Sequence, residues 1–384
     1  MKANSSRRSF LAAGMALPVA PYLSAAAPLP AARVLGKTGL KVNPLGMGCM
    51  LVSDPTVVDR AIDMGVNFFD TARDYQNGNN ERMVGTVLKG RRNKIILESK
   101  TTAKTKEQAL ADLDTSLKEL GTDHLDIWLL HSKNKAEEIT DELLEAQRIA
   151  KQAGKIRFAG ASLHPVSRDF IPTLVKRGQL DVILTAYNFA MPPDMAMEES
   201  LRAAGEAGVG IIAMKTMAGG VNRLRTIGTK IGNIDTKAMS DRLRAGGIVA
   251  ALKWVLRNQN VGVAIVGMLD ADQLAENFAA AAQPFTEDDG KKLTARLDAI
   301  RPLYCRMCGS CDGKCRQGLP VPDMLRILTY ADGYGNFPLA RQRFQELPTA
   351  VASVRCGDCG ECAVRCPNGV RVRERLTLAQ EILA

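Results

Sequence analysis

The chain has 384 residues, 46% hydrophobic and 24% charged, enough for one large core plus a satellite unit, and a composition that excludes a disordered polymer. The formal net charge of +10 carries no polybasic run, so it reads as a solvated surface rather than a nucleic-acid footprint. Lys2, Arg7 and Arg8 lie in an N-terminal stretch with no acidic residue, and without them 48 basic residues face 41 acidic ones.

That stretch, SSRRSFLAAGMALPVAPYLSAAAPLPAA, sets Arg7 and Arg8 before Phe10 and Leu11, then a short apolar segment, then small residues suited to cleavage near Ala25 to Ala27. It resembles a twin-arginine export signal over residues 1–30, which implies a periplasmic or exported protein. An uncleaved, membrane-anchoring N-terminus is the alternative. Pro18, Pro21, Pro28 and Pro30 interrupt a segment already short of the ~20 apolar residues that span a bilayer, and no later segment reads as a stable membrane insertion.

From about 31 to 300, short apolar runs alternate with helical patterns. The runs are NPLGMGCM (43–50), VNFFDTA (66–72), KIILESK (94–100), LDIWLLHS (125–132), IRFAGASL (156–163), VILTAYNF (182–189), VGIIAMKT (209–216) and VGVAIVGM (261–268). Between them, Leu110, Leu113, Leu117 and Leu120 recur at spacings of three and four, marking one apolar helix face. Eight such βα units predict an α/β protein, a (β/α)8 TIM barrel with a parallel sheet covered by helices. A doubly wound open sheet is the alternative, but no G-x-G-x-x-G follows an early strand. The Gly-rich connection from 217 to 246 reads as a lid or as a loose surface loop.

Chemistry in such a barrel sits at the C-terminal ends of its strands. Asp70, Lys100 and His131 end three successive runs, and Tyr75 follows Asp70 by five residues. Each alone has a plainer reading, as a helix cap, a solvent-reaching side chain or packing. Together they compose a proton-handling site. Lys100, held by Asp70, is expected to lower the phenol pKa of Tyr75, and His131 to orient a carbonyl while Tyr75 protonates its oxygen as hydride reaches carbon.

FFDTARDY, IILESK, IWLLH, GKIRFAGAS and AIVGMLDADQLAEN resemble the corresponding stretches of the aldo-keto reductase family over about 32–285. The resemblance implies a nicotinamide cofactor bound without a Rossmann domain, a small-molecule carbonyl or alcohol substrate, and Asp70, Tyr75, Lys100 and His131 as the catalytic four. It also carries Ser162, Tyr187, Asn188, Met214, Gly267, Gln273, Glu276 and Asn277 onto the cofactor side. There the sequence departs from the family: Leu163 and Leu184 replace polar residues, and Met214 stands where an aromatic ring is common. Gly267 and Gln273 replace cations that meet the 2′-phosphate, which shifts NAD(P) preference toward NAD. Glu276 and Asn277 read equally well as a solvated helix face.

After TEDDGKKLTARLDAIRP the barrel pattern stops, and residues 301–384 carry eight of the nine cysteines. Cys305, Cys308, Cys311 and Cys315 form one run; Cys356, Cys359, Cys362 and Cys366, followed by Pro367, form the other. Two runs of C-x2-C-x2-C-x3-C are the spacing of a pair of [4Fe-4S] clusters, and the fourth cysteine of each run ligates the opposite cluster. The expected sets are therefore Cys305, Cys308, Cys311 and Cys366, and Cys356, Cys359, Cys362 and Cys315. Zinc needs no third cysteine at this spacing. Disulfides suit an exported protein, but the twin-arginine route carries folded, cofactor-loaded proteins. Cys49, the ninth, reads as a small buried residue.

The tail resembles the ferredoxin-like extension of a branch of the aldo-keto reductases, implying a small α-helical iron-sulfur domain with short helices in MLRILTYADGYG and FPLARQRFQEL. Two functions follow. One is an exported oxidoreductase with Asp-Tyr-Lys-His chemistry coupled to cluster electron transfer and served by a redox partner protein. The other is an iron-sulfur electron-transfer or interaction protein on a catalytically degenerate barrel.

Overall fold

Each apolar run of the sequence forms a strand, and the strands meet edge to edge without a free end. The computed structural model describes residues 30–164, 169–192, 196–219, 230–231, 234–235 and 247–384. Residues 1–29, nearly all of the stretch that resembles an export signal, and most of the 217–246 connection lie outside the described residues. Strands β1 (Leu45–Gly48), β2 (Phe68–Asp70), β3 (Ile96–Thr101), β4 (Leu125–Lys133), β5 (Ile156–Leu163), β6 (Val182–Ala186), β7 (Gly210–Met214) and β8 (Val261–Val266) run parallel in sequence order, and β8 pairs with β1 to close the barrel. The expected (β/α)8 class is the observed one.

Nine helices cover the barrel among the described residues: α1 (Pro55–Asp63), α2 (Asn79–Leu88), α3 (Lys106–Leu120), α4 (Asp141–Gln152), α5 (Phe170–Arg177), α6 (Met197–Glu206), α7 (Gly247–Leu256), α8 (Ala271–Ala281) and α9 (Glu287–Ile300). Their starts follow local chemistry. The Thr105 and Thr140 hydroxyls accept from the Gln108 and Leu143 amides, and Thr286 with Asp289 forms a reciprocal capping box. On α3, Leu113, Leu117 and Leu120 are buried and Leu110 packs beside them, as the spacing predicts. Burying each such side chain stabilises the fold by roughly 1.5–3 kcal/mol.

The inside of the barrel is filled by Phe68, Ile96, Ile127, Leu129, Val182, Leu184, Ile212 and Val263, the residues that alternate inward along each strand. A two-stranded hairpin, Arg33–Val34 with Lys41–Val42, brings Leu35, Leu40 and Val42 into the same cluster and plugs it from below. Arg33 fastens the plug by donating to the Val261 and Asn258 carbonyls at 2.6 and 3.2 Å. Strands β5 and β6 approach so closely that a Cβ on Gly160 would lie 2.2 Å from the Val182 carbonyl oxygen, so only glycine fits there.

Beyond α9 the chain builds a second, smaller core. Helices α10 (Val321–Leu328), α11 (Phe337–Gln345), α12 (Thr349–Ala352) and α13 (Val372–Leu383) gather Leu319, Met324, Leu328, Phe344 and Leu376 around Cys311 and Cys356. Arg375 and Asp332 form a buried ion pair within it. The segment lies against the barrel: the Tyr304 hydroxyl accepts from the Asn188 amide at 3.2 Å. Among the described residues no helix is long and apolar enough to cross a membrane.

Candidate functional site

The loop after β2 continues alongside β3, because the Thr71 and Arg73 amides donate to the Glu98 and Lys100 carbonyls, both at 3.0 Å. The loop is stapled below by Asn80, which donates to the Cys49 carbonyl at 2.8 Å and accepts from the Thr71 hydroxyl at 2.7 Å. These bonds carry Tyr75 back over Lys100. The Lys100 ammonium ion-pairs with Asp70, donates to the Thr71 carbonyl at 2.7 Å, and reaches the Tyr75 hydroxyl at 3.4 Å. His131, at the end of β4, meets the Tyr75 ring edge-on with centroids 5.7 Å apart. The four residues that end separate strands and loops in the sequence thus share one mouth.

Their electrostatics differ from the sequence expectation in one respect. Burial pushes the Tyr75 phenol above its ordinary value, and the pull of Lys100 in the opposite direction does not offset it. Tyr75 is therefore a protonated phenol rather than a phenolate, the state a proton donor requires. Burial works against the Lys100 ammonium, but the Asp70 carboxylate paired with it holds its pKa above the ordinary value.

Glu98 was not singled out by the sequence. It lies on the same face of β3 as Lys100, fully buried, with its carboxyl 3.6 Å from the Lys100 nitrogen and neither oxygen hydrogen-bonded. Burial and the neighbouring Asp70 push its carboxyl well above the usual range, against the pull of Lys100. The signal was present: positions 98 and 100 share a face at the strand period of two.

A second polar set adjoins the first. Asp74 accepts from His131 Nδ1 at 3.1 Å and is ion-paired through its other oxygen with Arg343 of α11. His164, at the end of β5, lies 6.0 Å from His131 between ring centroids, and its Nδ1 is 2.9 Å from the Lys215 nitrogen. Burial and Arg326 lower the Lys215 ammonium to about 7. Lys215 also contacts the Met307 sulfur at 3.3 Å. Ser132, Lys215 and Met307 all adopt left-handed backbone, with φ of 55°, 55° and 57°. For residues other than glycine that is strain held by the surroundings, and here it gathers at the barrel mouth.

The cofactor-side residues are dispersed. The Ser162 hydroxyl accepts from the Ser132 amide at 2.9 Å, and the Asn188 amide donates to the Lys215 carbonyl and the Tyr304 hydroxyl. Met214 packs against the inner barrel cluster. Tyr187 lies between barrel and helices, its ring 4.9 Å from Trp254 and its hydroxyl bonded to Glu198 and Asn258. Gly267 is exposed, with nothing closer than 3.8 Å to where a Cβ would be. On α8, Gln273 bonds back to Asp270 and Glu276 faces solvent, while Asn277 is buried with its Oδ1 unpartnered.

The nine cysteines are free thiols. Cys49 is fully buried, and burial raises its thiol pKa, as expected of a packing residue. The other eight separate into two groups. Burial, then Cys311, Cys308 and Cys366, push Cys305 up to about 12, while burial, then Cys315, Cys362 and Cys359, push Cys356 up to about 11. Cys366 thus stands with the first run and Cys315 with the second. Cys315, Cys356, Cys359 and Cys362 line a cavity of about 460 Å³. Among the described residues, no three His, Cys, Asp or Glu side chains converge on a single-ion site.

Comparison with known proteins agrees with the barrel geometry. The model of the aldo/keto reductase family matches residues 53–298, ending before the first cysteine run. The uncharacterized oxidoreductase YqkF of Bacillus subtilis (strain 168) is 28% identical over 294 residues, 68% of this chain and 94% of that protein. L-galactose dehydrogenase of Arabidopsis thaliana is 28% identical over 304 residues, 70% of this chain and 93% of its own. Among solved structures, aldo-keto reductase AKR11C1 from Bacillus halodurans in its holo form aligns with a TM-score of 0.57 and 29% identity, over 69% of this chain and 95% of that one.

Proposed function

Because the chain belongs to the aldo/keto reductase family, we propose that it is an exported oxidoreductase that interconverts a carbonyl and an alcohol at Asp70, Tyr75, Lys100 and His131 and carries two [4Fe-4S] clusters in its C-terminal segment. The observation that carries the first half is the contact of Lys100 with both Asp70 and Tyr75. A nicotinamide, when bound, supplies hydride. Tyr75, kept protonated by burial, gives its proton to the carbonyl oxygen, and Lys100 stabilises the phenolate that remains. Asp70 keeps the ammonium in place, and the edge of His131 orients the carbonyl. In the alcohol-oxidising direction each role reverses.

The nicotinamide fit is partial. Asn277 offers a buried, unpartnered acceptor and Gly267 an open approach, but Ser162 and Asn188 already bond within the protein. Those internal bonds favour, as a second reading, an iron-sulfur electron-transfer protein whose barrel is a scaffold. An exported reductase would carry its nucleotide through the membrane already bound, with NAD suited better than NADP because Gly267 and Gln273 present no cation.

The thiols fit the clusters. The electrostatic grouping of Cys366 with the first run and Cys315 with the second supports the expected ligand sets, and the cavity lined by Cys315, Cys356, Cys359 and Cys362 has room for a cubane. Cys305, Cys308, Cys311 and Cys366 would hold one cluster, and Cys356, Cys359, Cys362 and Cys315 the other. The clusters, when bound, supply one-electron exchange with a partner protein.

Anaerobic purification with iron, sulfide and released-nucleotide analysis tests both halves. Iron and sulfide for two four-iron clusters per chain, together with bound nucleotide, support the reading. Clusters without nucleotide, and turnover unchanged in Tyr75→Phe, would leave the scaffold reading.

A further inference from the structure

We propose that Arg343, from the helix between the two cysteine runs, and Asp74 are positioning residues that set the tautomer and tilt of His131, so that the C-terminal segment completes the barrel's active site. This rests on the reading of His131 and Tyr75 as the substrate-facing pair.

The geometry is a chain of three side chains. A carboxylate only accepts hydrogen bonds, so the 3.1 Å contact of Asp74 Oδ1 with His131 Nδ1 requires the proton on Nδ1. That leaves Nε2 as the ring nitrogen free to meet substrate. The other oxygen of Asp74 is taken by Arg343 Nη2, and Arg343 Nη1 is held by Glu346 Oε2 at 2.9 Å. With one oxygen per partner, the carboxylate cannot rotate without breaking one bond or the other. Its side chain is 20% exposed and that of Arg343 31%, so the pair sits at the rim of the mouth rather than free in solvent.

Arg343 stands 269 residues from Asp74 in the chain. What brings it there is α11, whose first turn is capped by Asn336 accepting from the Leu339 amide at 3.1 Å and whose Ala340 and Phe344 are buried in the small core. Those two apolar anchors, one turn apart, aim the intervening Arg343 at the barrel. The other charged and titratable groups around His131 are Tyr75, Lys100, His164 and Lys215. The acceptor bonded to the ring is Asp74. Burial would raise the Asp74 carboxyl, yet His131, Arg343 and Lys100 hold it well below the usual range, so it is an anion whenever the site works.

The test uses the full-length, cluster-loaded protein. With only three histidines in the chain, ¹⁵N spectra of the imidazoles can be followed in wild type, Arg343→Ala, Arg343→Lys and Asp74→Asn. The wild type is expected to hold His131 as the Nδ1–H tautomer. Asp74→Asn is expected to mix the tautomers. Arg343→Ala is expected to let the Asp74 carboxylate rotate and so admit a second His131 tautomer, and Arg343→Lys should recover most of the Nδ1–H form. A substrate assay would then show kcat falling about tenfold in Arg343→Ala with KM little changed. A His131 spectrum unchanged in Arg343→Ala would overturn the role of Arg343, and a pure Nδ1–H tautomer in Asp74→Asn would overturn that of Asp74. Should Arg343→Ala fail to fold, Arg343→Lys and Asp74→Asn still read the tautomer. Because the spectra need no turnover, failure of the barrel chemistry, seen with Tyr75→Phe, registers separately.

Discussion

The barrel mouth and the C-terminal cysteine core both bury ionisable groups, but they settle the cost differently. At the mouth each charge meets a partner of the same chain: Lys100 meets Asp70, and Asp74 meets Arg343 and His131. In the tail the thiols meet chiefly one another, and burial with mutual repulsion drives Cys305 to about 12 and Cys311 and Cys356 to about 11. A barrel that answers its own charges is complete as folded protein. A thiol core of that kind suits the proposed clusters, whose binding would expel the thiol protons.

Iron removal should therefore separate the two regions most sharply. Chelation is expected to abolish hydrogen-exchange protection across 305–384 while the barrel strands keep theirs, as read by mass spectrometry; equal loss in both would erase the contrast. Next, Lys100→Met leaves Asp70 buried without its cation and is expected to cost about 3–5 kcal/mol of barrel stability in denaturant titration, with the visible spectrum of the tail unaltered. Tyr75→Phe keeps the packing and removes the acid, so kcat should fall by about 10²–10⁴ at unchanged unfolding midpoint.

The smallest effect concerns Lys215, which lies where the regions touch. Its folded pKa, about 7, lies below the ordinary 10.5. Below pH 7 the penalty of burying the ammonium acts in full. Between 7 and 10.5 the unfolded chain binds more protons, so stability rises with pH across that window. Wild type should gain apparent unfolding temperature from pH 7 to about pH 9 relative to Lys215→Met, measured by scanning calorimetry; parallel curves would place the titration elsewhere.

Much of this was legible in the sequence for local reasons. Eight apolar runs and the leucine spacing of α3 predict a barrel because strand and helix periods are properties of neighbouring residues. The cysteine spacing carries the proposal that Cys366 joins the first run and Cys315 the second, because three closely spaced ligands would leave one to come from elsewhere. The bottom hairpin escaped because two-residue strands carry no period.

What only the tertiary structure decided depends on desolvation and on distance across the chain. Lys100 was expected to lower the phenol pKa of Tyr75, and burial reverses that sign, a quantity no window of sequence contains. The Glu98 carboxyl is pushed up chiefly because the closed barrel denies it water. Asp74 gains its meaning from Arg343, 269 residues away, because α11 is anchored by apolar side chains that say nothing in sequence about what their polar neighbour will touch. Local pattern chose the elements; the low dielectric of the folded interior and the docking of the tail chose the protonation of the polar side chains and their partners.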